Sequence, residues 1–112
     1  MADQPVSRPG SRVRGPTTSR PVMAVLDLLG RRWTLRVTWE LYRAPAGFRE
    51  LQRRCDRMSS SVLTRRLAEL TDAELVEDGP DGYRLTDLGR ELVESLLPLE
   101  MWARRWEKTL RR

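Results

Sequence analysis

Between Met58 and Leu70 the chain reads MSSSVLTRRLAEL. Laid on a helix at steps of about 100°, Leu63, Leu67 and Leu70 fall on one side and Ser61, Thr64, Arg65 and Ala68 on the other. Short hydroxyls and one guanidinium on a slim outward face are donors without bulk. They suit a surface of acceptors, such as phosphate oxygens and the N7 and O6 edge of guanine in a DNA major groove. Arg65 is the candidate base reader. Ser59 is a good N-cap for this helix, and Ser60, Ser61 and Thr64 would donate to phosphates near a helix end whose unpaired N–H groups also attract an anion. Arg49 and Arg53, just upstream, would flank the DNA backbone. Arg66 leans toward the buried side and is read as half of a structural ion pair or as a lateral phosphate contact.

Other chemistry has few residues to work with. The chain has no His and a single Cys, no Gly-rich phosphate loop, and no paired carboxylates placed by pattern in a cleft. Catalysis is therefore not expected, and neither is a metal or another cofactor, since the usual zinc ligand sets cannot be assembled. Cys55 shares the inner face of a short helix with Phe48 and Leu51, which makes it a buried core thiol. Apolar runs fall far short of the roughly 20 residues that cross a bilayer, and no apolar segment follows the first charges as in a secretory signal. The expectation is a soluble, cytoplasmic protein. With 112 residues, 39% of them hydrophobic, the chain has material for one domain and not for two.

Charge is segregated along the chain. Arg31 to Arg66 holds ten Arg against Glu40, Glu50 and Asp56, a net of +7, whereas Leu67 to Ala103 holds two Arg against ten acids, a net of −8. A basic run is often just a solvated face, so position in the fold must decide its meaning. Two functions stay open on this evidence: double-stranded DNA held by the basic half, or a protein-interaction module that holds a basic partner through the acidic half, Glu69 to Glu94.

The elements that must position these residues can be read from spacing and punctuation. Residues 1–20, with Pro5, Pro9, Pro16, Gly10 and Gly15 among Ser, Thr and four Arg, bury too little to fold and read as a disordered Arg-rich tail. A domain then runs over residues 21–112. Pro21 opens a first helix that Gly30 ends. A second helix, apolar on most of its circumference, spans Arg32 to Arg43 and belongs at the centre of the core. Ala44 to Gly47 break the chain, a third helix follows from Phe48, Asp56 to Met58 make a tight turn, and the Ser59-capped helix runs to Ala73. Glu74 to Asp78 and Tyr83 to Thr86 read as strands joined by Gly79, Pro80, Asp81 and Gly82. Thr86 caps a long last helix, which Pro98 should kink.

Leu88, Leu92, Leu96, Leu99, Trp102, Trp106 and Leu110 form one stripe along that last helix, more than a small domain needs to cover. Leu96, Leu99, Trp102 and Trp106 of this stripe are the candidate dimerisation residues. Trp33, Trp39 and Trp102 would suit an aromatic small-molecule effector, although Trp residues in so small a domain are ordinarily core. The architecture is mainly α with a small β-hairpin wing (α+β): a winged helix-turn-helix with a long C-terminal dimerisation helix, whose recognition helix is the fourth.

From Pro21 to Trp106 the sequence resembles the HxlR-type family of bacterial regulators, relatives of the MarR-like winged-helix proteins. The matching pieces are LDLLGRRWTL at 26–35, FREL at 48–51, MSSSVLTRRLAEL at 58–70, LV at 75–76, YRLTDLGREL at 83–92 and WARRW at 102–106. The resemblance implies a homodimer joined through its first and last helices, which adds Val22 and Leu26 of the first helix to the candidate dimerisation residues, bound to a two-fold-related operator, commonly as a repressor. It also shows four departures. Arg20 stands where the family often has a sensing Cys, Glu74 stands where many members have Gly, and the Arg-rich tail is longer than usual. The wing is short and sets Glu77, Asp78 and Asp81 against Arg84 alone, so Arg84 is the one wing residue suited to a phosphate.

Overall fold

The computed structural model describes residues 20–111. The expected tail therefore lies outside the described residues, except for Arg20, which is the first residue of a helix. Helix α1 (Arg20–Leu29) buries Ala24 and Leu28 and leaves Val22 and Leu26 exposed. It ends at Gly30, whose N–H donates to the Leu26 carbonyl at 2.9 Å.

Helix α2 (Thr34–Arg43) begins two residues later than the pattern predicts. Trp33 has φ 76°, in the left-handed region, so a right-handed helix cannot pass through it. Its ring packs against the core. Helix α2 touches every other helix as well as the second strand of the wing, which confirms its central place.

Helix α3 (Phe48–Arg54) and helix α4 (Ser60–Asp72) are joined by a turn in which Asp56 and Arg57 have φ 58° and 57°. Ser59 caps α4 as expected, its hydroxyl accepting from the Val62 N–H at 3.4 Å. The helix stops at Glu74, where φ is 63° and the Leu75 N–H returns to the Leu70 carbonyl at 3.0 Å. A non-Gly residue in this conformation carries a local cost. It also delays the first strand, so that β1 is Val76–Gly79 rather than starting at Glu74.

Strand β2 (Gly82–Leu85) pairs antiparallel with β1 in the register Val76↔Leu85, Glu77↔Arg84, Asp78↔Tyr83 and Gly79↔Gly82. The break after α2 adds a bridge to this hairpin: the Ala46 N–H reaches the Tyr83 carbonyl at 3.0 Å, and the Tyr83 N–H reaches the Ala46 carbonyl at 2.8 Å. Gly82 is obligatory there, because its φ is 101° and a Cβ would stand 2.6 Å from the Ala46 backbone.

Helix α5 (Asp87–Leu110) runs unbroken through Pro98. Thr86 caps it, accepting from the Gly89 N–H at 3.0 Å while donating to the Glu74 carbonyl at 2.8 Å. The same hydroxyl thus fastens the end of α4 to the start of α5. Only Gly89 and Val93 of α5 are buried. The core is built from Leu28, Val37, Leu41, Leu51, Cys55, Leu63, Leu67, Leu70, Leu75, Val76, Leu85 and Val93. No helix among the described residues is long and apolar enough to cross a membrane. The order of helices and hairpin is that of a winged helix-turn-helix.

Candidate nucleic-acid interface

Helix α4 divides as its spacing requires. Leu63, Leu67 and Leu70 are buried, while Ser61, Thr64, Arg65 and Ala68 are exposed on the opposite side. Buried apolar residues orient the helix, and the exposed face carries no bulky apolar side chain and no acid before Asp72 at its far end. At its N-terminal end Ser59, Ser60 and Ser61 are all exposed, and the hydroxyls of Ser59 and Ser61 lie 3.0 Å apart. This places the predicted Ser59, Ser60, Ser61, Thr64 and Arg65 together at one end of one helix.

Gln52 is a part of this arrangement that periodicity did not single out. From α3 its amide donates to the Met58 carbonyl at 2.8 Å and to the Ser60 hydroxyl at 3.0 Å, joining α3 to the first turn of α4. Its spacing to Ser60 was the available signal, but an amide on a helix surface has no distinctive pattern.

The flanking arginines are differently placed. Arg49 is exposed on α3. Arg53 is exposed too, but it donates to Glu50, whose carboxylate is held below its ordinary range by Arg53 first and Arg54 next. Arg84 of the wing donates from Nε to Glu77 Oε2 at 2.8 Å, across the strand pair. The wing therefore offers Arg84 already matched to a carboxylate, with Asp78 and Asp81 exposed beside it.

Arg66 resolves in favour of the structural ion pair. Its guanidinium is buried, with Nη1 on Glu69 Oε1 at 2.7 Å and Nε on the Arg32 carbonyl at 2.8 Å. Glu69, which opens the acidic half, is consequently internal and not part of an acidic surface. Behind α4, Arg36 donates to Glu40 and Asp56, and its own pKa is raised chiefly by the bond to Glu40.

Two apolar features lie away from α4. Leu99, Trp102, Trp106 and Leu110 of α5 are exposed, as are Val22 and Leu26 of α1, and Leu96 is half-buried. The rings of Trp102 and Trp106 stack with centroids 5.6 Å apart. Between α2 and α5 a groove of about 480 Å³ is lined by Leu35, Arg36, Trp39, Leu96, Leu99 and Ala103 among others. Of the three Trp residues expected around an effector, Trp39 lines this groove. Trp33 is held against the core by its left-handed backbone, and Trp102 stacks on Trp106 instead.

Comparison with known proteins agrees with this geometry. A model of the HxlR-like helix-turn-helix family matches residues 28–111. An uncharacterized HTH-type transcriptional regulator of Bacillus subtilis, YvaP, is 28% identical over 88 residues, covering 72% of this chain and 82% of the relative. The quinone-bound structure of YodB from B. subtilis superposes with a TM-score of 0.71 at 30% identity, over 75% of this chain and 96% of that one. A structure described as a MarR-family transcriptional regulator from Enterococcus faecalis gives 0.74 at 26% identity, over 91% and 100%. With its match running from the end of α1 to the end of α5, the chain belongs to the HxlR-like helix-turn-helix family of DNA-binding transcriptional regulators.

Proposed function

We propose that the chain is a sequence-specific regulator that binds an inverted-repeat operator as a homodimer and represses by occupying promoter DNA. The observation that carries this reading is the exposed Ser61–Thr64–Arg65–Ala68 face of α4, fixed from behind by buried leucines and by Arg66. In the groove Arg65 reads a base edge, while Ser59, Ser60, Ser61 and Thr64, helped by Arg49 and Arg53, hold phosphates. Arg84 contributes a backbone contact to the extent that Glu77 releases it.

Dimerisation is supported by the apolar stripe of α5, of which Leu99, Trp102, Trp106 and Leu110 stay exposed among the described residues, together with exposed Val22 and Leu26. Such a stripe is buried by a two-fold copy of itself. The likeness to YodB, known in a quinone-bound state, supports a small-molecule effector, and Trp39 in the groove between α2 and α5 is its contact. A repressor of chromosomal promoters works in the cytoplasm.

Affinity selection of random duplexes on the purified protein at near-physiological salt tests the reading. Recovery of an inverted repeat with half-sites about one helical turn apart is the expected result. Recovery of nothing above background overturns it and favours a protein partner for the exposed acids that remain on the wing and α5.

A further inference from the structure

The turn that aims α4 is braced by a residue outside the exposed face. Asp56 and Arg57 stand in succession at φ 58° and 57°. A side chain enters this region at a cost; Asp tolerates it through local hydrogen bonding, and Arg has no such help. Conformations of this kind persist where the surroundings over-determine them.

Arg36 on α2 supplies that restraint with three donors of one planar group. Nε reaches Glu40 Oε2 at 3.0 Å, Nη1 reaches Asp56 Oδ2 at 3.0 Å, and Nη2 reaches the Arg54 carbonyl at 2.6 Å. An exposed Arg–Asp pair by itself contributes little. Here the Glu40 side chain is only 6% exposed, so the guanidinium plane is set from the buried side. A rigid fork cannot then turn away from Asp56 without loosening its other bonds. Gln52 closes the turn from the far side through Met58 and Ser60.

We propose that Arg36 is a positioning residue for DNA recognition. By holding the Asp56 carboxylate and the Arg54 carbonyl it fixes the turn, and with it the angle at which α4 presents Thr64 and Arg65. Base-edge readout depends on that angle, whereas phosphate attraction tolerates a looser one. The inference rests on α4 reading DNA as proposed above.

The test compares Arg36→Lys with wild type on the selected operator and on random-sequence duplex, well below the unfolding temperature. Lys keeps the charge and loses the fork. The ratio of operator to random-sequence affinity should fall about tenfold or more, while random-sequence affinity and its salt dependence stay at the wild-type level. Asp56→Asn, which keeps an acceptor and tolerates the left-handed region, should preserve the ratio. Asp56→Ala should lower it, and it carries the same test if Arg36→Lys does not fold. A residue that merely stabilised the domain would reduce the active fraction equally on both duplexes. An unchanged ratio in Arg36→Lys and Asp56→Ala overturns the proposal alone. A wild-type protein with no preferred duplex overturns the functional reading, and this proposal with it.

Discussion

Arg66 Nη1 lies 2.7 Å from Glu69 Oε1, one turn further along α4, and both side chains are almost wholly buried. Glu69 Oε2 also accepts from Arg31 Nη1 at 3.2 Å, and Arg66 Nε donates to the Arg32 carbonyl at 2.8 Å. The hidden side of α4 is thus tied to the link between α1 and α2. Removing one partner of a buried pair strands its charge, which typically costs about 3 to 5 kcal/mol. Glu69→Ala should lose that much in urea unfolding, because two guanidiniums lose their shared carboxylate. The double change Arg66→Met with Glu69→Leu should lose much less. A single-variant loss near zero would show that the network does not hold the helix.

Cys55 is completely buried, and burial pushes its thiol above the ordinary range while Arg36 pulls it the other way. The thiolate is the reactive form, so iodoacetamide at pH 8 should label the folded protein slowly and the urea-unfolded protein fast. The raised pKa also has a sign. The folded state favours the protonated thiol, so its contribution is present below the unfolded-state pKa and is lost as pH rises toward the folded one. Stability should therefore decline on the alkaline side, with a smaller decline in Cys55→Ala. Fast labelling of the folded chain would place the thiol at the surface.

The element order was legible because its signals are local. Ser59 and Thr86 cap, Gly30 stops a helix, and the leucines of α4 repeat at helical spacing. What local pattern could not supply was set by distant partners. Trp33 takes its left-handed conformation where Arg66 holds the neighbouring Arg32 carbonyl, and the Ala46–Tyr83 bridge joins a small residue to a strand far along the chain. The exposed donor face of α4 follows from periodicity alone. Whether a given arginine stands ready or is already engaged does not: Arg53 with Glu50, Arg84 with Glu77 and Arg36 with Asp56 are choices of long side chains between neighbouring elements.

Arg65 gives the most direct test of base reading. Arg65→Ala should lower operator affinity and relax discrimination at one base position, by about 1 to 3 kcal/mol for a bidentate contact. Binding titrations against operators varied one position at a time would show this. An equal loss on every sequence would make Arg65 a phosphate contact.

Glu77 faces Arg84 across the wing and holds its Nε at 2.8 Å. As a pair of half-exposed side chains it should contribute no more than about 1 kcal/mol to stability. Its larger effect is on DNA, since it cancels the wing's one cation beside two further acids. Glu77→Gln should raise affinity for all duplexes and steepen the salt dependence by about one ion, whereas Arg84→Ala should change little. Affinity unaltered by Glu77→Gln would mean that the wing stays away from the phosphates.

Trp102 and Trp106 stack on one another while each remains about half exposed, 49% and 53%, on a helix whose last buried residue is Val93. A pair of indoles fixed in this way is an apolar platform that no other element among the described residues buries, and a two-fold copy would cover it. Trp102→Glu would set a carboxylate against its symmetry mate there, so the protein should sediment as a monomer. Because the domain core does not reach these rings, its unfolding by urea, once corrected for dimerisation, should be little changed. Operator affinity should fall far more, by about 10² to 10⁴, as the second half-site is no longer delivered with the first. Binding to a single half-site should survive. A variant that remains dimeric, or one that keeps full operator affinity as a monomer, would move the interface off α5.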